Sequence, residues 1–548
     1  MADTKLTAGN DTYVQPLGAR SPWTNYYGLE GDDVFALYNG VVNGGPGNDR
    51  IEKVDYSSEW WLNVQVAYWD SPTGVVVDLA AGTAEDGWGG HDTLVGVTSV
   101  HGSGRDDTLK GSVANNFFWP NGGKDQIDGR GGVDTVGIGW FTPTGARQGR
   151  QAQLDDLDIQ VSIDGRTAVI KPKAGAGFEL QLTDVERFQI NGADGTNATY
   201  TLADFIQPLD MARQAVMAGG SLRWNAAAAL GTAVEVTYSF VLSAPASGPG
   251  ATGFRPFNVA EQQVVRELLA SLAGCTGLSF REVAEGGGHV GQIRFGVSQQ
   301  ADAKGQSWLP NQAGAGDSAG DVWMDVESMA SLARGSEGFA ALIHELGHAL
   351  GLRHPVNTDP GDAWSAQLRA TDDRTALTAM SGQTSADGLF RADFGPLDLL
   401  ALRELYGTKA VAAGDTVVRL GSAQTGAQTT LVDDGGTDTL DASALPVGAK
   451  LDLVPGHLGS VGVSAAGVAA VDNLALLATT VIENAVGTAY DDVLLGNEAD
   501  NRLTGGLGND WIDGAKRTDT AGFACLRTDY AVSTGFSKVY VKARDGQG

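Results

Sequence analysis

The stretch HELGHALGLRH, from His344 to His354, gathers three of the chain's seven histidines around a glutamate and a glycine. On a helix His344 and His348 stand at i and i+4, so both imidazoles leave one face and can reach a single metal ion. Gly351 can adopt the positive φ of a helix C-terminus. The turn this allows brings His354 back as a third ligand, and Pro355 discourages the helix from resuming. Three neutral imidazoles leave a fourth tetrahedral position open to water, which distinguishes a catalytic zinc site from a structural one. Glu345, beside the first ligand, is placed to take a proton from that water. A bare HExxH arises by chance in many helices, whereas a third histidine at this spacing argues against mere packing. One catalytic zinc ion is expected.

HExxHxxGxxH is the metzincin signature, and metzincins carry a downstream Met-turn whose methionine lies beneath the zinc histidines. Met380, in TALTAMSG, is the candidate. More closely, the region resembles the serralysins, a group of secreted bacterial endopeptidases. LRWNAAAALGTAVEVTYSFV (222–241) looks like the opening strand of their catalytic domain. SAGDVWMD (318–325) looks like the edge strand before the active-site helix, and FGPLDLLALRELYG (394–407) like the closing helix. The resemblance covers 210–408 and implies an α+β metzincin catalytic domain that hydrolyses peptide bonds. An extended substrate would then pair along Val322, Trp323 and Met324 by β-augmentation. One departure concerns the position two residues after the Met-turn methionine. Serralysins place a zinc-ligating tyrosine there, and this chain has Gly382. Any stabilisation of the oxyanion by that tyrosine must come from elsewhere or be absent.

The elements around this site belong to a chain of 548 residues, too long for one core. Acids outnumber bases 66 to 37, for a net charge of −29. Acidic chains are often disordered, but 42% hydrophobic residues and 12 tryptophans argue for packed domains. Glycine is also frequent, at 77 residues, and aspartate beside glycine suits sites for hard cations. Nucleic acid is excluded as a partner because no basic patch is available to neutralise phosphates. Cys275 and Cys525 are the two cysteines, expected as packed apolar groups rather than a disulfide framework. No apolar run is long enough for a transmembrane helix, and MADTKLTAGNDTY lacks the apolar core of a Sec-type signal.

Repeats organise both flanks. GTAYDDVLL, GNEADNRLT and GGLGNDWID follow one another from Gly487 to Asp513, the last fitting the nonapeptide GGxGxDxUx at every position. A second array spans 102–137 as GSGRDDTLK, GSVANNFFW, PNGGKDQID and GRGGVDTVG. Weaker single units occur in TAGNDTYV, GLEGDDVFAL and GGPGNDRIE. Each unit supplies a glycine turn and a short strand whose large apolar residue points inward. Turn carbonyls and the sixth-position carboxylates enclose Ca²⁺, which prefers six to eight oxygens. In that register the carboxylates are Asp107, Asp125, Asp134, Asp492 and Asp510, and Asn116 and Asn501 fill the same slot in weaker units. Regular spacing and the recurring apolar position argue against a flexible linker. These repeats resemble the RTX class of secreted calcium-binding proteins, and several structural Ca²⁺ ions are expected.

The expected architecture is therefore a metzincin domain flanked by two all-β parallel β-roll domains. Residues 1–207 form an N-terminal roll, 208–408 the protease domain and 409–548 a C-terminal roll. In the middle domain, VAEQQVVRELLASLAG (259–274) shows helical spacing with Asn258 as N-cap, and the active-site helix begins near Ser336. His91, His101, His289 and His457 lack metal-spaced partners and are read as surface or core residues. The resemblance implies secretion from a Gram-negative bacterium by the type I route, a protein or peptide substrate, a monomeric state and scope for cell-surface association. The competing reading is an RTX surface module or adhesin whose protease domain is vestigial, which Gly382 and the doubled rolls favour. The complete ligand motif and Met380 oppose it.

Overall fold

The computed structural model describes residues 2–16, 24–54, 63–141, 150–175, 177–191, 197–245, 249–286, 290–301, 303–356, 366–464, 466–523, 530–535 and 538–543. His289 and Cys525 lie outside them. The chain divides into two compact units, Met1–Gln207 with Arg369–Thr371, and Pro208–Leu368 with Asp372–Gly548. Apart from 369–371, residues 208–408 and 409–548 lie together in the second.

Nonapeptide chemistry explains the first unit. Glycine turns leave room mostly for strands of three or four residues, so one central apolar side chain in each of these must do the packing. Thr108–Lys110 and Phe117–Trp119 show this, with Leu109 and Phe118 fully buried between partly exposed neighbours. Such strands cannot stand alone and are stable only when stacked on neighbouring coils. Here they stack into two large, mainly parallel sheets, and most successive strands alternate between them. One sheet runs in order from Ala2–Lys5 through Thr24–Tyr27, Gly40–Asn43, Val64–Ala67, Ser99–His101 and Phe117–Trp119 to Thr135–Ile138. The other carries Thr12–Val14, Val34–Leu37, Arg50–Lys53, Thr108–Lys110 and Gly123–Asp128. Phe35, Ile51, Val66, Val100, Ile127, Val136 and Phe188 fill the space between them. Each such buried side chain is worth about 1.5–3 kcal/mol. The weak single units near the start are thus coils of the same roll. An antiparallel hairpin, Val76–Asp78 with Thr83–Glu85, interrupts the second sheet between Thr108–Lys110 and His91–Val95. Antiparallel strands at Leu157–Pro172 and Arg187–Thr201 close the unit.

The second unit opens with the short helix α1 (Leu209–Ala215) and a five-stranded sheet. Its order is Leu278–Glu282, Val234–Phe240, Ile293–Ser298, Val322–Asp325, Gly305–Ser307, and only the last pairing is antiparallel. Helix α2 (Val259–Cys275) carries a capping box, in which the Asn258 side chain accepts from the Ala260 and Glu261 amides and Glu261 accepts from Asn258 N–H. Helix α3 (Glu337–Ala349) starts after Ser336, whose hydroxyl accepts from Phe339 N–H. Phe339, Leu342, Ile343 and Leu346 are buried on it. Helix α4 (Pro396–Tyr406) stops at Gly407 with φ 93°.

The sheet order corrects one expectation. Val322, Trp323 and Met324 do not form an open edge: they pair with Phe295–Val297 on one side and with Gly305–Ser307 on the other. All three are 2% exposed or less. Residues 305–307 fold back antiparallel over them, so the outer edge belongs to Gly305–Ser307. From sequence, the apolar strand VWMD is conspicuous and the polar triplet GQS is not.

The C-terminal segment forms short parallel strands again, in sheets that include Val417–Arg419, Thr439–Asp441, Asn484–Val486, Arg502–Thr504 and Thr520–Gly522. Leu440, Leu451, Leu474, Leu494 and Leu503 make its core. Arg403 of α4 forms a two-pronged ion pair with Asp434 at 3.0 and 2.9 Å, fastening it to the preceding helix.

Candidate metal centre

Helix α3 presents His344 and His348 one turn apart. Gly351, at φ 93°, ends the helix, and Leu352 N–H closes on the Gly347 carbonyl at 2.9 Å. The chain then returns His354, whose Nε2 lies 3.1 Å from His344 Nε2 and 3.3 Å from His348 Nε2. Tetrahedral zinc with bonds of about 2.0–2.1 Å requires nitrogens about 3.3 Å apart. Each Nδ1 of the helical pair meets a carbonyl, Ala379 O at 2.8 Å and Leu352 O at 3.0 Å. A carbonyl only accepts, so these Nδ1 atoms carry the protons and both Nε2 lone pairs face the common centre. Converging lone pairs repel unless a cation lies between them. Burial lowers the pKa of His344 and takes that of His348 well below the ordinary histidine value, keeping both in the neutral form that binds metal. The residues fit zinc. Among the described residues these histidines are the one group of three His, Cys, Asp or Glu side chains with ligand atoms within 4.8 Å of one another.

Met380 is fully buried against α3 at Gly347, where a Cβ would stand 2.5 Å from its sulfur. The glycine in HELGH is thus a steric requirement of the methionine beneath the histidines. Asp398, at the start of α4, holds this turn. Its carboxylate accepts from Thr378 Oγ1 at 2.6 Å, Ala379 N at 2.7 Å and Gly395 N at 2.8 Å. Ala379 is the residue whose carbonyl orients His344, so Asp398 reaches the ligand through one peptide. Arg391, 2% exposed, donates to the Thr375 and Ala376 carbonyls and to Thr430 Oγ1 of the C-terminal segment. Sequence reading missed both residues, because a single Asp in a helix start and a single Arg in a loop carry no distinguishing pattern.

Glu345 is 8% exposed, and its Oε2 accepts a 2.6 Å hydrogen bond from Ser307 Oγ. Burial raises its pKa, and the Ser307 hydrogen bond opposes that rise. A Cβ at Gly305 would fall 2.6 Å from Glu345 Cγ, so the edge strand passes directly against the glutamate. Ser307 was also missed. Around Gly382 no atom lies within 4 Å of where a Cβ would stand, so the place of the missing tyrosine is open space.

The roll carboxylates form a second class of site. One coil takes 18 residues, and the sixth-position side chain of one coil accepts the amide of its counterpart in the coil before. Asp125 accepts from Asp107 N at 3.0 Å, Asp134 from Asn116 N at 2.6 Å and Asp510 from Asp492 N at 3.1 Å. The second oxygens of Asp125 and Asp134 are buried and unpartnered. Burial, with neighbouring carboxylates adding to it, pushes the pKa of both to about 8 and that of Asp510 to about 6. Several sixth-position oxygens lie so close to a glycine that a side chain there would collide with them. A Cβ at Gly129 would have Asp134 Oδ2 and the Asp184 carbonyl within 2.5 Å. At Gly487 the oxygens are Asp492 Oδ2 and Gly505 O, both within 2.5 Å, and at Gly496 Asn501 Oδ1 and Gly514 O, within 2.6 Å. At Gly111 they are Asn116 Oδ1 and Gly129 O, within 2.6 Å. Carboxylate, amide and main-chain oxygens are the donors that a calcium ion takes. The Asp107 carboxylate accepts Val75 N, Ser103 N and Ser103 Oγ, and that of Asp492 accepts Ala449 N, Thr488 N and Thr488 Oγ1.

Among the other histidines, His101 bonds Gln65 and stacks on Trp119, and His457 pairs with Asp452. Cys275 is a free thiol.

Residues 101–136 and 486–520 match the model of the RTX calcium-binding nonapeptide repeat. Over 340 residues the chain is 31% identical to Serralysin G of Dickeya chrysanthemi, covering 57% of this chain and 68% of that protein. Serralysin C of the same organism is 30% identical over 50% of this chain and 61% of its own length. Metallopeptidase AprA of Pseudomonas marginalis is 31% identical over 49% and 61%. The matches thus span about two thirds of the first relative and about three fifths of the other two.

Proposed function

The chain belongs to the serralysin family of metalloproteases, and we propose from this premise that it is a secreted zinc endopeptidase acting on proteins, with calcium-stabilised β-rolls. In this reading 208–408 is the protease domain of metzincin type, 1–207 and 409–548 are the rolls, and the protein is a monomer exported by the type I route. The observation that carries it is the convergence of His344, His348 and His354 beside a buried glutamate that a serine holds in place. The three histidines would hold the zinc. When bound, zinc supplies a Lewis acid that lowers the pKa of water from about 15.7 toward 7.

Glu345 takes a proton from the attacking water as the C–O bond forms at the scissile carbonyl carbon, and returns it to the amine nitrogen as the C–N bond breaks. Burial, which raises its pKa, suits a group that must both accept and release a proton near neutrality. Ser307 fixes the direction of the carboxylate. The substrate strand would pair with Gly305–Ser307, the outer edge among the described residues, which brings its main chain past Glu345. Main-chain pairing of this kind gives broad protein substrates and leaves selectivity to side-chain pockets. The relatives, two serralysins and a metallopeptidase by name, do not favour the adhesin reading.

Glu345→Gln tests the assignment. Hydrolysis of casein should fall at least a thousandfold with zinc content and circular dichroism unchanged, and retained cleavage would remove Glu345 from its role.

A further inference from the structure

We propose that the chain at 214–218 and the side chain of Arg353 together position the third zinc ligand, an inference that rests on the zinc reading above. His344 and His348 take their places from α3 itself. His354 lies beyond the end of the helix, so its place depends on what the returning chain packs against. That chain runs antiparallel along 216–218. Ala218 N–H donates to the Gly351 carbonyl at 3.0 Å, Met217 and Leu352 form an antiparallel bridge, and Arg353 N–H donates to the Val216 carbonyl at 2.9 Å. The opposing segment is itself fixed: Ala212, Ala215 and Val216 are fully buried, and Arg213 forms an ion pair with Glu404 of α4.

Arg353, 5% exposed, ties the two stretches together. Its Nε donates to Met217 O at 2.8 Å and its Nη1 to His354 O at 3.1 Å. Its Nη2 donates to Gln214 O at 3.4 Å and to Ala366 O at 2.5 Å. One planar group thus joins two carbonyls of 214–218, the carbonyl of the ligand residue itself and one further along the chain. A guanidinium holds its N–H donors in fixed directions, so displacing any one of these peptides disturbs the others. A lysine ammonium, with three donors on a flexible stem, cannot serve all four. Arg353 touches neither metal nor substrate and acts on the site through the main chain of His354. Coupling of this kind is reciprocal: if the docked segment favours zinc, zinc favours the docked segment. The simpler account is that Arg353 only fastens the segment after α1 and leaves metal affinity unchanged.

Zinc competition against a chelator, on full-length wild type, Arg353→Ala and Arg353→Lys, separates the two. Arg353→Ala should bind zinc about 10–100-fold more weakly, the usual effect of losing an outer partner, with Arg353→Lys in between. The rise in melting temperature that zinc brings should shrink in the same order, whereas a residue that only fastens lowers the zinc-free and zinc-loaded proteins alike. Wild-type zinc affinity in folded Arg353→Ala protein would overturn the proposal and leave the protease reading intact. A wild type that takes up no zinc would remove that reading and this inference together. Should Arg353→Ala fail to fold, amide exchange in the wild type decides. Zinc should slow exchange at Ala218 and Arg353 about tenfold or more, and equal rates with and without zinc refute the link.

Discussion

Replacing Asp398 with alanine should loosen the zinc ligand that it never touches. Its carboxylate receives Thr378 Oγ1, Ala379 N and Gly395 N at 2.6, 2.7 and 2.8 Å. It is fully buried, so solvent cannot replace it as an acceptor. Truncation strands two buried amides, each costing about 1–3 kcal/mol. With the lost charge-assisted bond to Thr378, the total destabilisation should reach about 3–5 kcal/mol. Part of this appears at the metal, because the freed peptide carries the Ala379 carbonyl that holds His344 Nδ1 at 2.8 Å. Loss of such an outer partner typically lowers metal affinity 10–100-fold, equivalent to about 1.4–2.8 kcal/mol. Asp398→Asn should be intermediate, since its carbonyl can serve the two amides and its NH₂ can face the threonine hydroxyl. The assay is zinc competition against a chelator, alongside thermal unfolding of each variant. A folded Asp398→Ala protein with wild-type zinc affinity would refute the link between Asp398, the Met-turn and His344.

Ser307→Ala should lower kcat/KM about tenfold, the worth of one hydrogen bond to a charged group, without changing circular dichroism; an unchanged value would show that Glu345 needs no such positioning. Gly382→Tyr has open space to enter, and an added oxyanion donor should raise kcat by up to about a hundredfold with zinc content constant; no gain would mean that this donor does not limit the rate. Calcium-free protein should show inverted acid behaviour. Asp125 and Asp134, pushed up to about 8 by burial, hold protons more tightly folded than in the unfolded chain, where aspartate titrates near about 3.9. Their folded state therefore gains stability as pH falls from 8 toward 4. Melting in EDTA should occur at a higher temperature at pH 5.5 than at pH 8, while saturating calcium, which displaces those protons, removes the gain. A lower melting temperature at pH 5.5 in EDTA would refute this account of the buried roll carboxylates.

The metal site was legible because its chemistry is local. His344, His348 and Glu345 share one helix, and Gly351 and His354 follow within two turns, so periodicity and a single turn suffice to bring the ligands together. The nonapeptides were legible for a similar reason: repetition every nine residues states both the inward apolar position and the carboxylate. Where repetition was weak, at 7–53, the two large sheets show that coils continue, since a partial repeat stacks as readily as a full one once its neighbours supply the template. The substrate edge was misread because exposure is a property of pairing. VWMD has the stronger strand pattern, yet the short strand Gly305–Ser307 pairs along its outer side.

The spacing of residues along the chain therefore determined the ligand set, the glutamate between the ligands, the methionine below them and the register of most roll carboxylates. Tertiary structure alone decided which oxygens remain buried without a proton donor, which glycines the roll oxygens crowd, and that Ser307, Arg391 and Asp398 support the centre. Those facts depend on contacts between segments distant in sequence, such as Asp398 with Ala379 or Ser307 with Glu345, and no local pattern encodes a neighbour that only folding brings near.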